Sequence, residues 1–259
     1  MKIEANDILI NCELSGKSDA HIVVLSHVIG SSLVMWNPQM DQLNDRFRVL
    51  RYDTRGLGSS SAPNQPYSME LLVADAVALL DAVEFDRVHW VGLSLGAMIG
   101  MGLAINHADR LHSLTLCDSM AAVPDSGKDL WRDRLLATSM ESLVEGAVAR
   151  WFTEAYRKSN APDYLLNRAQ FLSTSLAGYL GNCHAIVNLN YANDLNRIQT
   201  PTCLIVGELD QATPVSESIA IRDRIKGAQM HVIKGGAHLC NVEQADRFNA
   251  ALLGFLNQV

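Results

Sequence analysis

The sequence predicts an α/β domain: a mostly parallel eight-stranded sheet with helices on both faces and a helical cap inserted after the sixth strand. Three observations predict it. Short apolar runs alternate with segments of helical periodicity, the rhythm of strand–helix–strand units around a parallel sheet. That rhythm stops after Asp118 and resumes beyond Thr200, so a long helical stretch interrupts it. One apolar run leads directly into Gly92-Leu93-Ser94-Leu95-Gly96 and then into a helix-like pattern.

The elements follow in chain order. Residues 1–15 alternate around Asn6-Asp7, which predicts a β-hairpin. Residues 21–25, 48–52, 88–91 and 114–116 are apolar runs suited to strands buried on both faces. Between them, residues 68–83 place Leu71, Leu72, Val73, Ala76, Leu79, Leu80 and Val83 at helical spacing. Ser68 suits the N-cap, and Glu70 and Asp75 are expected on the wet side. Residues 121–200 show no convincing strand. They read as amphipathic helices anchored by Trp131, Leu135, Leu136, Trp151, Phe152 and Phe171. Strands return at 203–206 and 230–233, and a last helix is expected over 243–256. The predicted organisation is a core of residues 1–119, a cap (lid) of residues 120–199 and a second core part of residues 200–259.

Composition limits what such a domain does. The 259 residues are 48% hydrophobic and 19% charged, ordinary values for a folded chain. With 21 Lys+Arg against 28 Asp+Glu the formal charge is −7, which disfavours nucleic acid as a partner. The uncharged stretch 90–108 approaches membrane-span length. It contains Gly92, Gly96, Gly100 and Gly102, and reads as a buried strand, turn and helix, so no membrane partner is expected. Glu4 and Asp7 interrupt any apolar leader, and the five cysteines form no CxxC pair. A cytoplasmic setting is the expectation, with Cys12, Cys117, Cys183, Cys203 and Cys240 as small core residues. Self-association into a homo-oligomer is left open.

Ser94 is the candidate nucleophile. On a sharp strand-to-helix turn, bulk two residues to either side would clash, and Gly92 and Gly96 remove it. A serine needs a base, and the expected chain order is serine, acid, histidine. Of the downstream histidines His107, His112, His184, His231 and His238, only His238 lies in a glycine-rich loop between a strand and the last helix. His184, in the cap, is its competitor. The acid belongs at the end of the preceding strand, where Asp210 follows Gly207-Glu208-Leu209. Glu208 and Asp118 are the alternatives. Backbone N–H groups of Leu95 and Ile29 are placed to form an oxyanion hole. His27 is expected to be a structural loop residue. Asp53-Thr54-Arg55-Gly56-Leu57-Gly58 lacks the lysine of a phosphate loop, so Asp53 and Arg55 are expected to brace a turn. No metal-ligand spacing is present, and neither a metal nor another cofactor is expected.

Beyond these residues the chain resembles the α/β-hydrolases, and within them the 3-oxoadipate enol-lactone hydrolases, over nearly its whole length. The resemblance rests on Met35-Trp36-Asn37-Pro38-Gln39, on Phe47 through Gly56, and on Gly92-Leu93-Ser94-Leu95-Gly96. In the cap it rests on Ala149-Arg150-Trp151-Phe152-Thr153 and Gly178-Tyr179-Leu180-Gly181-Asn182-Cys183. Near the C-terminus it rests on Ala237-His238-Leu239-Cys240-Asn241-Val242-Glu243. The sequence departs from the family at His27-Val28-Ile29-Gly30, where Asn-Ser-Leu-Gly is usual, and at Ala97, where a second glycine is usual. The resemblance implies a serine hydrolase of aromatic-compound catabolism that cleaves a small ester or lactone through an acyl-enzyme on Ser94. Trp36, Arg150 and Trp151 are the candidate substrate contacts, with Arg150 supplying a cation for a substrate carboxylate. The same triad would also serve a general carboxylesterase, a carbon–carbon bond hydrolase or a perhydrolase. A ligand receptor with a slow triad is the non-enzymatic alternative.

Overall fold

A computed structural model describes residues 1–259, the side chain of Ser126 excepted. Strands β1 (Lys2–Ala5) and β2 (Ile8–Gly16) form the expected hairpin. Its turn residues Asn6 and Asp7 have φ of 48° and 62°. Two consecutive left-handed residues match the twist of a tight hairpin, and Asn and Asp tolerate that conformation better than most side chains. The remaining strands are β3 (Ile22–Ser26), β4 (Arg48–Tyr52), β5 (Val88–Leu93), β6 (Leu111–Cys117), β7 (Thr202–Gly207) and β8 (Gln229–Ile233).

They build one eight-stranded sheet in the order β1-β2-β4-β3-β5-β6-β7-β8. Only the β1–β2 and β2–β4 pairs are antiparallel. From β4 to β8 every pair is parallel. Every residue of β5 and of β7 is buried, because helices cover both faces. β8 lies at the edge, and His231 and Val232 on it are exposed.

Around the sheet lie α1 (Asn37–Asn44), α2 (Met69–Ala82) and α3 (Leu95–Asn106). The insertion supplies α4 (Asp125–Leu135), α5 (Glu141–Trp151), α6 (Glu154–Lys158), α7 (Pro162–Ser173) and α8 (Leu176–Val187). The chain closes with α9 (Val215–Arg222), α10 (Cys240–Glu243) and α11 (Ala245–Leu256). Ser68 caps α2 by accepting from the Leu71 N–H at 3.2 Å. α1 is not anticipated by the apolar pattern, since only Gln39 and Leu43 of it are buried.

Two sequence expectations, for Asp75 and Leu136, need correction, and two others gain detail. The last helix runs over Ala245–Leu256, within two residues of its expected start, and α10 precedes it as a separate turn. Gln244 leaves helical geometry (φ −127°, ψ 45°) and its side-chain amide reaches the Gly235 carbonyl. Asp75 does not face water: it is 2% exposed and takes a two-pronged ion pair from Arg55 at 2.6 Å on each prong. Leu136 is no anchor, being 79% exposed just past the end of α4. The insertion also carries one antiparallel bridge, Ala122 to Asn190, which draws the two segments at its neck together.

Two of the ties between the insertion and the core bear on the site. Asn182 on α8 donates to the Arg55 carbonyl at 2.8 Å, and the backbones of Gly56 and Gly178 touch there. A Cβ on Gly178 would overlap the Gly56 carbonyl, so the close approach requires glycine. At the other place, Leu239 donates to the Trp151 carbonyl at 2.8 Å, and the Thr153 hydroxyl donates to Glu243. Among the described residues no helix is long and apolar enough to cross a membrane.

Candidate active site

Ser94 sits between β5 and α3 with φ 54° and ψ −110°. A non-glycine residue held there costs on the order of 1–3 kcal/mol and needs a frame that enforces it. The frame is visible. The Ser94 N–H donates to the Cys117 carbonyl at 2.9 Å, and the Ser119 hydroxyl donates to the Ser94 carbonyl at 3.1 Å. A Cβ on Gly92 would overlap Gly96, and one on Gly96 would overlap the Ser26 carbonyl on β3. The two glycines therefore let the turn close over the sheet edge with Ser94 at its apex.

The loops after β7 and β8 place Asp210 and His238 together. His238 Nδ1 lies 2.8 Å from Asp210 Oδ2, and both side chains are buried. Asp210 accepts three further hydrogen bonds: from Thr213 Oγ1 at 2.7 Å, the Ala212 N–H at 2.7 Å and the Thr213 N–H at 3.0 Å. Burial works to raise the Asp210 pKa. The charge and hydrogen bond of His238, with the Thr213 contacts, outweigh it and hold the carboxyl below its ordinary value. An ionised Asp210 fixes the His238 proton on Nδ1 and leaves Nε2 as the basic nitrogen.

Ser94 and His238 line one cavity of about 90 Å³. Among the described residues no hydrogen bond joins the Ser94 hydroxyl to the ring, as is common before substrate aligns such a pair. Asp118, Asp210 and His238 each place a ligand atom within 4.8 Å of one another, a grouping that would interest a metal ion. The bonding argues against that use, because His238 Nδ1 is already held by Asp210, which accepts three further hydrogen bonds from Ala212 and Thr213.

Leu95 opens α3, so its N–H has no partner within the helix. The Ile29 N–H likewise meets no acceptor among the described residues, and Ile29 lines the cavity. His27 is pinned behind this wall. Its Nδ1–H donates to the Val28 carbonyl at 2.8 Å and its Nε2 accepts from the Thr54 N–H at 3.1 Å. Burial lowers the His27 pKa, so the ring stays neutral and structural. Asp53 braces the same region, accepting from Leu33, Asn11 and Ser59 at 2.7–2.8 Å.

The other candidates separate cleanly. Arg150 and Trp151 line the cavity with Ser94. Trp36 does not. It is fully buried and packs against Phe248 on α11, with ring centroids 6.2 Å apart. The segment around it serves a core network in which Gln39 donates to Asn249 and to the Asn241 carbonyl. Glu208 is exposed and accepts from the Gly235 N–H, His231 faces solvent, and His184 lines a different cavity.

Sequence reasoning missed Arg134. It lines the cavity and stacks its guanidinium 4.0 Å over the Trp131 ring, one helical turn earlier on α4. The i,i+3 spacing of Trp131 and Arg134 was the available signal. Among the described residues neither Arg134 nor Arg150 pairs with a carboxylate. Burial, and then the charge of Arg134, push the Arg150 pKa down to about 10. Two cations thus share a largely apolar chamber with no anion to answer them.

A strained serine above a parallel sheet, an Asp–His pair on the next strand ends and a helical insertion over them define a class. Residues 21–245 match the alpha/beta hydrolase fold family, and the chain belongs to it. Within that family it is similar to 3-oxoadipate enol-lactonase 2 of Acinetobacter baylyi, at 29% identity over 96% of this chain and 94% of that one. In structure it is similar to the enol-lactonase from Burkholderia xenovorans (TM-score 0.96, 32% identity, 99% and 100% of the two chains). A hydrolase from Pseudomonas aeruginosa is also similar, with a TM-score of 0.94 and 33% identity over 98% and 96% of the two chains.

Proposed function

We propose that this enzyme is a serine hydrolase that opens a small, carboxylate-bearing ester or lactone, an enol-lactone of the 3-oxoadipate kind being the favoured substrate. The observation that carries the reading is the 2.8 Å Asp210–His238 pair, whose histidine lines the same cavity as a serine on a strained strand-to-helix turn. The names of the enol-lactonase relatives support the substrate, and so do Arg134 and Arg150, since a guanidinium without an internal partner suits a carboxylate.

In this mechanism His238 Nε2 takes the Ser94 proton and Ser94 Oγ attacks the carbonyl carbon. The Leu95 and Ile29 N–H groups hold the oxyanion as charge develops on it. The tetrahedral adduct collapses with proton return from His238 to the leaving oxygen, which in a lactone stays tethered to the acyl group. Water, deprotonated by the same ring, then resolves the acyl-enzyme. Asp210 keeps the ring oriented and balances its charge. Residues 120–199 act as the lid that excludes bulk water and presents the two arginines.

The test is a substrate panel of enol-lactones, saturated lactones, p-nitrophenyl esters and vinylogous diketones, run on the parent enzyme and on Ser94→Ala. The reading expects the best turnover on a carboxylated lactone and a loss on the order of 10⁶ in kcat for the variant. Retention of most activity by Ser94→Ala would sink it. Preference for the diketone would move the enzyme to carbon–carbon bond hydrolysis.

A further inference from the structure

Asp118 directly follows β6, with φ 43°, and lies fully buried directly behind the Asp–His pair. The mechanism above does not use it. Its Oδ1 accepts from the Gly207 N–H at 2.7 Å, and its Oδ2 meets the Cys240 thiol at 3.0 Å. The titratable groups facing it are Asp210 from the loop after β7, His238 from the loop after β8, Cys240 at the start of α10 and Cys117 beside it. Among the described residues no lysine or arginine faces it.

Two carboxyls this close and this dry cannot both be ionised. The hydrogen bonds decide which holds the proton. Asp210 receives four, one of them from a ring that becomes cationic in the reaction. Asp118 receives one backbone N–H and a weakly donating thiol. The anion therefore resides on Asp210 and the proton on Asp118. Burial, and then the Asp210 charge, raise the Asp118 pKa well above the carboxylate range, in agreement with that assignment.

We propose that Asp118 is a positioning residue: as a neutral carboxylic acid it presents its proton to the Asp210 carboxylate and so sets how strongly Asp210 draws on the His238 ring. The proposal rests on the triad reading of the site. Its consequence is a triad with a fourth member. A proton donor behind Asp210 drains charge from it, weakens its hold on the protonated ring, and leaves the ring free to act as base at a lower pH.

Three variants of Asp118 and two readouts test this. Asp118→Asn keeps an acceptor for Gly207 and an N–H donor for Asp210, so the acid limb of the kcat/KM profile should stay where the parent enzyme has it. Asp118→Ala removes the donor, and the limb should move up by roughly one pH unit. Asp118→Val serves in its place if the alanine variant does not fold. A downward move in both Asn and Ala variants would mean an ionised Asp118, and no move in either would mean a purely structural one. Each result overturns the proposal. Independently of activity, the infrared spectrum of the resting enzyme at neutral pH should carry a carboxylic-acid carbonyl band that Asp118→Asn removes and Asp210→Asn shifts. Absence of that band overturns the proposal even if only the asparagine variant is stable. A parent enzyme without any acid limb, together with an active Ser94→Ala variant, would instead defeat the triad reading, and the infrared band would still report on Asp118.

Discussion

The Leu239 N–H donates to the Trp151 carbonyl at 2.8 Å, so the loop carrying His238 hangs on the helical insertion as well as on the sheet. Thr153, two residues beyond Trp151, adds contacts to Glu243 on α10. The insertion therefore positions the histidine as well as covering it. Thr153→Val should disturb ring placement and lower kcat, by roughly fivefold if the loss of a net ~1 kcal/mol hydrogen bond is fully transmitted. A steady-state comparison with the parent enzyme checks this. A change confined to KM would show that the insertion shapes binding alone.

Asp210→Asn preserves volume and an acceptor for the Ala212 and Thr213 N–H groups, but it cannot hold the His238 proton on Nδ1. The expected cost is about 10⁴ in kcat with little change in Tm, as in triads where the acid becomes an amide. Single-turnover kinetics and a thermal melt of the same preparation separate the two effects. A mild kinetic effect would assign the acid role elsewhere, to Asp118 first.

Arg134 and Arg150 make opposite predictions for charged and neutral substrates. Replacing Arg150 by Met should raise KM for a carboxylated lactone by roughly 10- to 100-fold, the worth of a charged hydrogen bond. A neutral ester of similar size should lose nothing, and relief of the repulsion between the two cations should raise the Tm. Equal losses on both substrates would mean that the arginine packs the chamber and does not read the anion.

A pH dependence of stability follows from the opposite end of the sheet. His89 is buried, with Nδ1 2.8 Å from Ser113 Oγ and Nε2 3.3 Å from His21 Nδ1. Burial, and then the charges of His112 and His21, push its pKa down from 6.5 to about 4. Between those values the unfolded chain binds the proton that the native ring refuses, so stability rises with pH across the window. The Tm should accordingly fall as pH drops from about 6.5 toward about 4, and His89→Asn should flatten that slope. Identical slopes in the two proteins would exclude His89 as the source.

Much of this molecule is legible in its sequence because the central strands are buried on both faces and so write themselves as unbroken apolar runs. Ser94, Asp210 and His238 were locatable for a related reason. Ser94 and Asp210 follow such runs, His238 follows the shorter edge strand β8, and in a parallel sheet all those ends point the same way. Residues whose role depends on packing between elements were not legible. Trp36 looks like a pocket residue until Phe248, far along the chain, is seen against it. Asp75 matches the polar face of α2 until Arg55 claims it. Arg134 reads as a surface cation on a charged helix, because nothing in α4 alone says which way the insertion turns that face.

The most direct test of the central claim is the mass of the intact enzyme quenched during turnover of a slow ester, followed by peptide mapping. The account predicts a single acyl adduct on Ser94 that forms and decays at the rate of turnover, and that Ser94→Ala never shows. Full turnover with no adduct, or an adduct on another residue, would contradict it.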